Sequence, residues 1–278
     1  MNVLSQCINF KCDIYGFSFD KDWKSYISSS ALHYFKTYKE EELKRLEYIE
    51  EIKKKKIFLS PGQIPELHAV IPVRKGSSLK DKNIREYKGK PLLQRAIEKA
   101  LKVFGKVTVL SDDEEYAKLA RQWGAEVPYI DERVDDLENI VVRLKRWRDI
   151  ENINGRIILI QCTSPNISEE SLYKIIEESK DKTYRDIIGS VSLFNDVKYS
   201  ALMFKSERGF LIQAVSDAPD ISVPRQSLKP LYYYNGGITS FFHTQLDYDV
   251  LFKYSYFYPL MIDESESLDI DNEDDFKK

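Results

Sequence analysis

From Leu67 onward, short apolar runs alternate with amphipathic helical patterns, and this alternation does most to narrow the choice of fold. LHAVIPV (67–73) reads as a strand. PLLQRAIEKAL (91–101) reads as a helix, with Pro91 at its first turn and Leu92, Leu93, Ala96, Ile97, Ala100 and Leu101 on one face. KVTVLS (106–111) is a second strand, and EEYAKLARQW (114–123) a second helix closed by Gly124. Asp135 or Asp136 is placed to cap LENIVVRLKRW, whose Leu137, Ile140, Val141 and Leu144 form another apolar stripe. RIILIQ (156–161) is apolar almost without interruption, as a strand buried on both faces requires. Ser168 caps ESLYKIIEES, and IIGSVSL (187–193) is a further strand. Such a succession implies an α/β fold, a mostly parallel sheet flanked by helices with right-handed crossovers. Ligands of such sheets bind outside the carboxyl ends of the strands.

Residues 1–64 differ in character. An aromatic-rich stretch leads into TYKEEELKRLEYIEEIKKKKIF, a strongly charged helical pattern, and PGQIP (61–65) has the composition of a linker. We therefore expect an α-rich N-terminal extension over 1–64 and one domain over 65–278. The run Lys53 to Lys56 is short for a membrane contact and reads as a solvated helix end. The net charge of −3 excludes the basic excess typical of general nucleic-acid binding. No apolar run reaches the roughly 20 residues of a membrane span. Three scattered cysteines (Cys7, Cys12, Cys162) form no disulfide framework, which points to a reducing, cytoplasmic setting. The histidines His33, His68 and His243 have no metal-site spacing.

Four stretches are candidates for chemistry. The first strand runs into RKGSSLKDKN, where Arg74, Lys75, Lys80 and Lys82 surround Gly76, Ser77 and Ser78. Cations and backbone N–H groups after a strand are what a phosphate requires, and equally what a solvated basic turn contains. Neither the Walker pattern nor the G-x-G-x-x-G fingerprint is present. In SLDIDNEDD (267–275), extended backbone puts Asp269 and Asp271 on one side and Ile270 on the other. Paired carboxylates repel unless a cation shares them, which suits Mg²⁺; an acidic solvated tail has the same composition. PRQSLKPLYYYNGGI (224–238) offers Arg225 as a clamp for a carboxylate and Asn235-Gly236-Gly237 as a turn that allows close backbone approach, and equally reads as a hairpin turn flanked by tyrosines in a core or interface. QCTSP (161–165) is a polar cluster at the end of the third strand.

In this order, the same stretches resemble the motifs of the CMP-sialic acid synthetases (acylneuraminate cytidylyltransferases). IPVRKGSSLKDKN is similar to the family's I-P-A-R-x-G-S-K-x-x-P-x-K-N, although one residue shorter and with Ser78 in place of a lysine. VLSDDEEYAKLARQWGAEVP puts Asp112 on the aspartate of S-T-D-S-E. QCTSP matches Q-P-T-S-P, SVSLFNDVK matches a segment with a substrate-side lysine, here Lys198, and RQSLKPLYYYNGGI and ESLDIDNEDDF match two further motifs. The resemblance implies a Rossmann-like domain with a small inserted dimerisation segment within about 193–235, and a homodimer. It implies that CTP and a nine-carbon 2-keto sugar acid give a CMP-sugar and pyrophosphate with Mg²⁺ as cofactor. By the same resemblance, Arg74, Gly76, Ser77, Lys82, Asn83, Asp112 and Gln161 would hold the nucleotide, and Gln161, Lys198, Arg225 and Asn235 the sugar acid. Asp269 and Asp271 would bind the metal, with Arg74, Lys82 and Asp271 serving catalysis.

Overall fold

The computed structural model describes residues 66–75, 79–131, 139–180, 186–194, 201–205, 211–213, 220, 222–247 and 256–278. The expected α-rich extension lies outside them. Six strands form the central sheet: β1 (Leu67–Val73), β4 (Thr108–Ser111), β5 (Arg156–Ile160), β6 (Asp186–Phe194), β9 (Leu231–Phe242) and β10 (Tyr256–Met261). Their spatial order is β10-β6-β9-β5-β1-β4. β1 runs parallel to β4 and β5, and β10 parallel to β6, while β9 runs antiparallel to both of its neighbours. Two small antiparallel pairs stand apart: β2 (Glu86–Tyr87) with β3 (Lys90–Pro91), and β7 (Met203–Lys205) with β8 (Leu211–Gln213).

Among the described residues, four α-helices cover the sheet: α1 (Leu92–Phe104), α2 (Glu114–Gln122), α3 (Ile140–Glu151) and α4 (Glu169–Lys180). Side chains that alternate along each strand sort them into two faces. Ala69, Ile71, Val73, Val109, Ile158 and Ile160 share a core with Leu93, Ile97 and Ala100 of α1, Tyr116, Ala117 and Ala120 of α2, and Leu172 and Ile175 of α4. The intervening Val70, Leu110, Ile157 and Leu159 meet Val141, Leu144 and Trp147 of α3 on the opposite face. A buried Ile, Leu or Val contributes roughly 1.5–3 kcal/mol. Because β5 and β1 are apolar on both faces, they can occupy the middle of this three-layer stack.

Helix starts follow side-chain chemistry. Asp113 caps α2, its Oδ1 accepting from the Tyr116 N–H at 3.0 Å. Ser168 Oγ accepts from the Ser171 N–H at 3.0 Å, as the sequence suggested. The cap of α3 corrects the reading from Asp135 or Asp136. Asn139 carries it, accepting from Val141 N–H at 3.0 Å, because its carboxamide lies one residue before the first helical turn.

The stretch Asn235-Gly236-Gly237 is a second correction: it lies inside β9 and is not a hairpin turn. Register slips there, Gly189 pairing with Thr239 and Val191 with Tyr234, so β9 carries extra residues opposite Ser190. Gly236 makes the bulge possible with φ +74°. The Ser190 hydroxyl donates to Asn235 Oδ1 and accepts from the Ile238 N–H, replacing ladder bonds that the bulge breaks.

Candidate active site

The chain leaves β1 toward β4 on one side, then crosses back to β5 on the other. Connections that depart in opposite directions open a crevice at the carboxyl ends of β1 and β5. A cavity of about 280 Å³ occupies that place, lined by Pro72, Val73, Arg74, Lys82, Asn83, Ile140, Arg143, Gln161, Cys162 and Thr163. Four residues expected to hold a nucleotide, Arg74, Lys82, Asn83 and Gln161, are therefore brought together.

The basic loop after β1 divides its cations. Lys75 turns away: its ammonium pairs with Asp113 at 2.9 Å and Glu115 at 3.3 Å, and these hydrogen bonds raise its pKa. Its backbone N–H donates to Asp112 Oδ1 at 2.8 Å, so Asp112 fixes the loop and is not part of the cavity wall. Arg74 is exposed at the rim. Asp81 adopts a left-handed conformation (φ 52°), which short polar side chains tolerate, and the chain then folds into a short 3₁₀ turn, Lys82–Ile84. This turn carries Lys82 back into the crevice, where Lys82 Nζ donates to Asp271 Oδ1 at 3.1 Å. Gly76 and Ser77 lie outside the described residues, as does Lys198. Of Arg225, only the backbone, in the 3₁₀ turn Arg225–Ser227, is described.

Asn83 bridges two loops. Its Nδ2 donates to the Arg74 carbonyl at 3.0 Å, and its Oδ1 accepts from the Cys162 thiol at 3.3 Å. Burial pushes the Cys162 thiol up to about 12, which keeps it protonated as a donor. Asn83 thus joins the end of β1 to the loop after β5. Asn235 is likewise engaged, with Ser190, Ser192 and the Gly237 N–H, and lies away from the cavity lining.

The aspartate pair arrives on a strap that packs over β2 and the start of α1. Ile270 is fully buried with Tyr87 and Leu92, and Leu268 and Phe276 pack around them. The alternation expected from the sequence is realised: Ile270 points inward while Asp269 and Asp271 remain exposed. The Ile270 N–H donates to the Thr163 carbonyl at 2.8 Å, and Thr163 also hydrogen-bonds the Asp269 carboxylate. QCTSP and SLDID therefore meet in space. Arg85 grips Glu273 with two bonds of 2.7 and 2.8 Å. Asp275 Oδ2 accepts from the Asp271 and Asn272 N–H groups at 3.0 and 3.1 Å, fixing the backbone beneath Asp271. Loss of hydration raises the pKa of Asp269, although the residue keeps an exposed face, and the Asp271 charge raises it further.

Among the described residues no three His, Cys, Asp or Glu side chains converge as a closed metal site. Two neighbouring carboxylates at a cleft mouth nevertheless fit a hard cation that takes its remaining oxygens from a ligand.

Sequence reasoning overlooked Arg143 and Asp131. Asp131, just beyond β4, bonds through its N–H to the Ser111 carbonyl, and its side chain is fully buried. Its carboxylate accepts from Arg143 Nε and Arg146 Nη1, both at 2.5 Å. Arg143, 4% exposed, also donates to the carbonyls of Val73 (3.3 Å) and Leu110 (3.1 Å) at the carboxyl ends of β1 and β4. A signal was available: Arg143 lies three residues after Ile140 and four before Trp147, so a cation occupies the apolar stripe.

A cytidylyltransferase family model matches residues 68–253. The chain is 30% identical over 217 residues to an N-acylneuraminate cytidylyltransferase of Streptococcus agalactiae, a match covering 74% of this chain and 51% of that protein. It is 28% identical over 216 residues to a CMP-N,N'-diacetyllegionaminic acid synthase of Legionella pneumophila, covering 73% of this chain and 90% of that one. The chain spans about half the length of the streptococcal relatives it matches. Among solved structures, 4-diphosphocytidyl-2C-methyl-D-erythritol synthase from Anaerococcus prevotii has a similar fold: TM-score 0.52, 13% identity, covering 76% of this chain and 92% of that one.

Proposed function

Because the chain belongs to the cytidylyltransferase family, we propose that its cleft transfers the cytidylyl group of CTP to a nonulosonic acid, releasing pyrophosphate. One observation carries this reading: Lys82, Asp271 and Asp269 meet beside Arg74 at the carboxyl ends of β1 and β5. A triphosphate would lie along Arg74, Lys82 and the backbone N–H groups of the loop that contains Gly76 and Ser77. The anomeric hydroxyl of the sugar acid attacks the α-phosphorus in line, and the bond to the β-phosphate oxygen breaks. Lys82 and Arg74 offset the negative charge that gathers on the leaving pyrophosphate, so positioning and charge neutralisation supply most of the rate.

Asp269 and Asp271 would hold Mg²⁺, which when bound polarises phosphoryl oxygens. Lys82 is paired with one oxygen of Asp271. A ligand that brings its own phosphates can draw Lys82 to itself and free that oxygen. Lys198 and Arg225 would pair with the substrate carboxylate, and a neutral sugar would leave those cations unmatched. The relatives' names, which include N-acylneuraminate and diacetyllegionaminate enzymes, support a nine-carbon acid as the substrate class.

A homodimer and a cytoplasmic setting belong to the same reading. Tyr232, Tyr234 and Phe257 leave aromatic surface exposed on β9 and β10, with Tyr234 edge-on to Phe257 and both tyrosines inside the segment expected to dimerise. No helix among the described residues is long and apolar enough to cross a membrane.

Pyrophosphate release is the decisive measurement, with CTP, GTP and UTP each offered alongside a panel of nonulosonic acids and Mg²⁺. CTP with at least one acid should give pyrophosphate, and Asp271→Asn should slow release by roughly a hundredfold or more. Silence across the whole panel would overturn the enzymatic reading.

A further inference from the structure

Arg143 presents an unused edge to the cleft. Its Nε is taken by Asp131 and its Nη2 by the carbonyls of Val73 and Leu110. Nη1 has no hydrogen-bond partner, yet it is not among the sealed, partnerless nitrogens of the described residues, which belong to Arg95 and Arg156. Since Arg143 lines the cavity, this open edge faces cavity space. A nearly buried guanidinium keeps such an edge at a cost unless something accepts from it.

The character of the missing acceptor follows from charge. Asp131 lies fully buried between Arg143 and Arg146, so much of the charge on Arg143 is already balanced. Arg74 stands at the rim, and Lys82 faces the mouth. Phosphates therefore belong at the mouth, and the floor suits a neutral group with lone pairs. Pro72, Val73 and Ile140 add apolar surface beside Arg143, a setting for a flat ring.

We infer that Arg143 Nη1 donates to the acceptor edge of the cytosine base, O2 and N3, and so determines base specificity. The inference rests on the cytidylyltransferase reading, because it assigns the floor of the cleft to the base of CTP. Uracil presents an N–H at position 3, which would meet the Nη1 hydrogens head-on. A site whose donor loses its acceptor rejects the wrong ligand more strongly than one that loses only apolar contact.

The test measures equilibrium binding of CTP, 3-deaza-CTP (which lacks the N3 acceptor) and inorganic triphosphate to the wild-type chain and to Arg143→Lys. Lysine keeps the charge facing Asp131 and loses the planar fork. The wild type should prefer CTP over 3-deaza-CTP by roughly tenfold or more, the worth of a hydrogen bond to a charged group. In Arg143→Lys that ratio should collapse toward one, while inorganic triphosphate binds within roughly twofold of wild type. A ratio unchanged by the substitution overturns the inference, as does an equal loss of CTP and triphosphate, which would make Arg143 a strut only. Should the lysine variant not fold, Arg143→Gln with Asp131→Asn removes charge from both partners and carries the same expectation. A wild type that binds no CTP would instead overturn the function from which the inference starts.

Discussion

Arg143–Asp131 and Lys82–Asp271 each join a cation to a carboxylate at the same end of one sheet, and they are built to opposite ends. In the first pair the side chains are 5% and 0% exposed, and further bonds tie the guanidinium to two strand ends. In the second they are 10% and 71% exposed, with a single bond of 3.1 Å between them. Enclosure decides what each can do. A buried pair has lost its hydration, so separating it strands a charge; an exposed carboxylate regains water as soon as its partner leaves. The floor of the cleft is therefore fixed, and its mouth is exchangeable. The proposed transfer would need both, since a base that is read must stay still while the phosphates change partners.

The largest effect that should expose this contrast is Asp131→Ala. Removing one member of a buried pair costs about 3–5 kcal/mol, and denaturant unfolding should show a loss of that size. A loss below about 1 kcal/mol would mean that Arg143 finds compensation elsewhere and that the floor is not rigid. Lys82→Met should behave in the opposite way. Stability should change by less than about 1 kcal/mol because Asp271 turns to solvent, whereas pyrophosphate release should fall by roughly a hundredfold. An unchanged rate would detach Lys82 from the chemistry.

A smaller effect lies beneath the mouth. Lys99 Nζ donates to the Pro165 and Ile167 carbonyls, both at 2.6 Å, supporting the loop that carries Thr163. Burial depresses its pKa to about 8 from 10.5. With the folded value below the unfolded one, its favourable contribution is complete above about pH 10.5 and is lost as pH falls through about 8. Unfolding midpoints of the wild type should show this gain between pH 8 and 10.5, and Lys99→Met should flatten it. A wild-type slope that survives the substitution would assign it to another group.

Much of this architecture could be read from local pattern. The continuous apolar runs at 67–73 and 156–160 identified two interior strands, β1 and β5, because strands buried on both faces read that way. The alternation in SLDID placed Ile270 inward and its flanking aspartates outward, as the strap shows. Features set by distant partners were less legible. Nothing in RKGSS says that Lys75 turns to Asp113 while Lys82 turns to Asp271; that choice depends on where the N-terminus of α2 comes to rest. YYYNGGI looked like a turn because Asn and Gly mark turns, but pairing on both sides of β9 overrode that preference and left a bulge. Arg143 was passed over because a helical stripe was read for its apolar members, and the buried carboxylate that makes the exception affordable lies outside the helix.

The strap that carries Asp269 and Asp271 has a kinetic consequence of its own. Its anchor, Ile270 with Tyr87 and Leu92, is a small apolar cluster separate from the two cores that hold the sheet. A segment secured in this way can open and reclose as a unit while the strands stay paired. Assembly of the site then has its own equilibrium, and the closed fraction multiplies every apparent affinity that depends on the two aspartates. The amide of Ile270, bonded to the Thr163 carbonyl, is the reporter. Its hydrogen exchange should be faster than that of the β1 and β5 amides and should slow when a ligand bridges the aspartates to the cleft, without a matching change in the sheet.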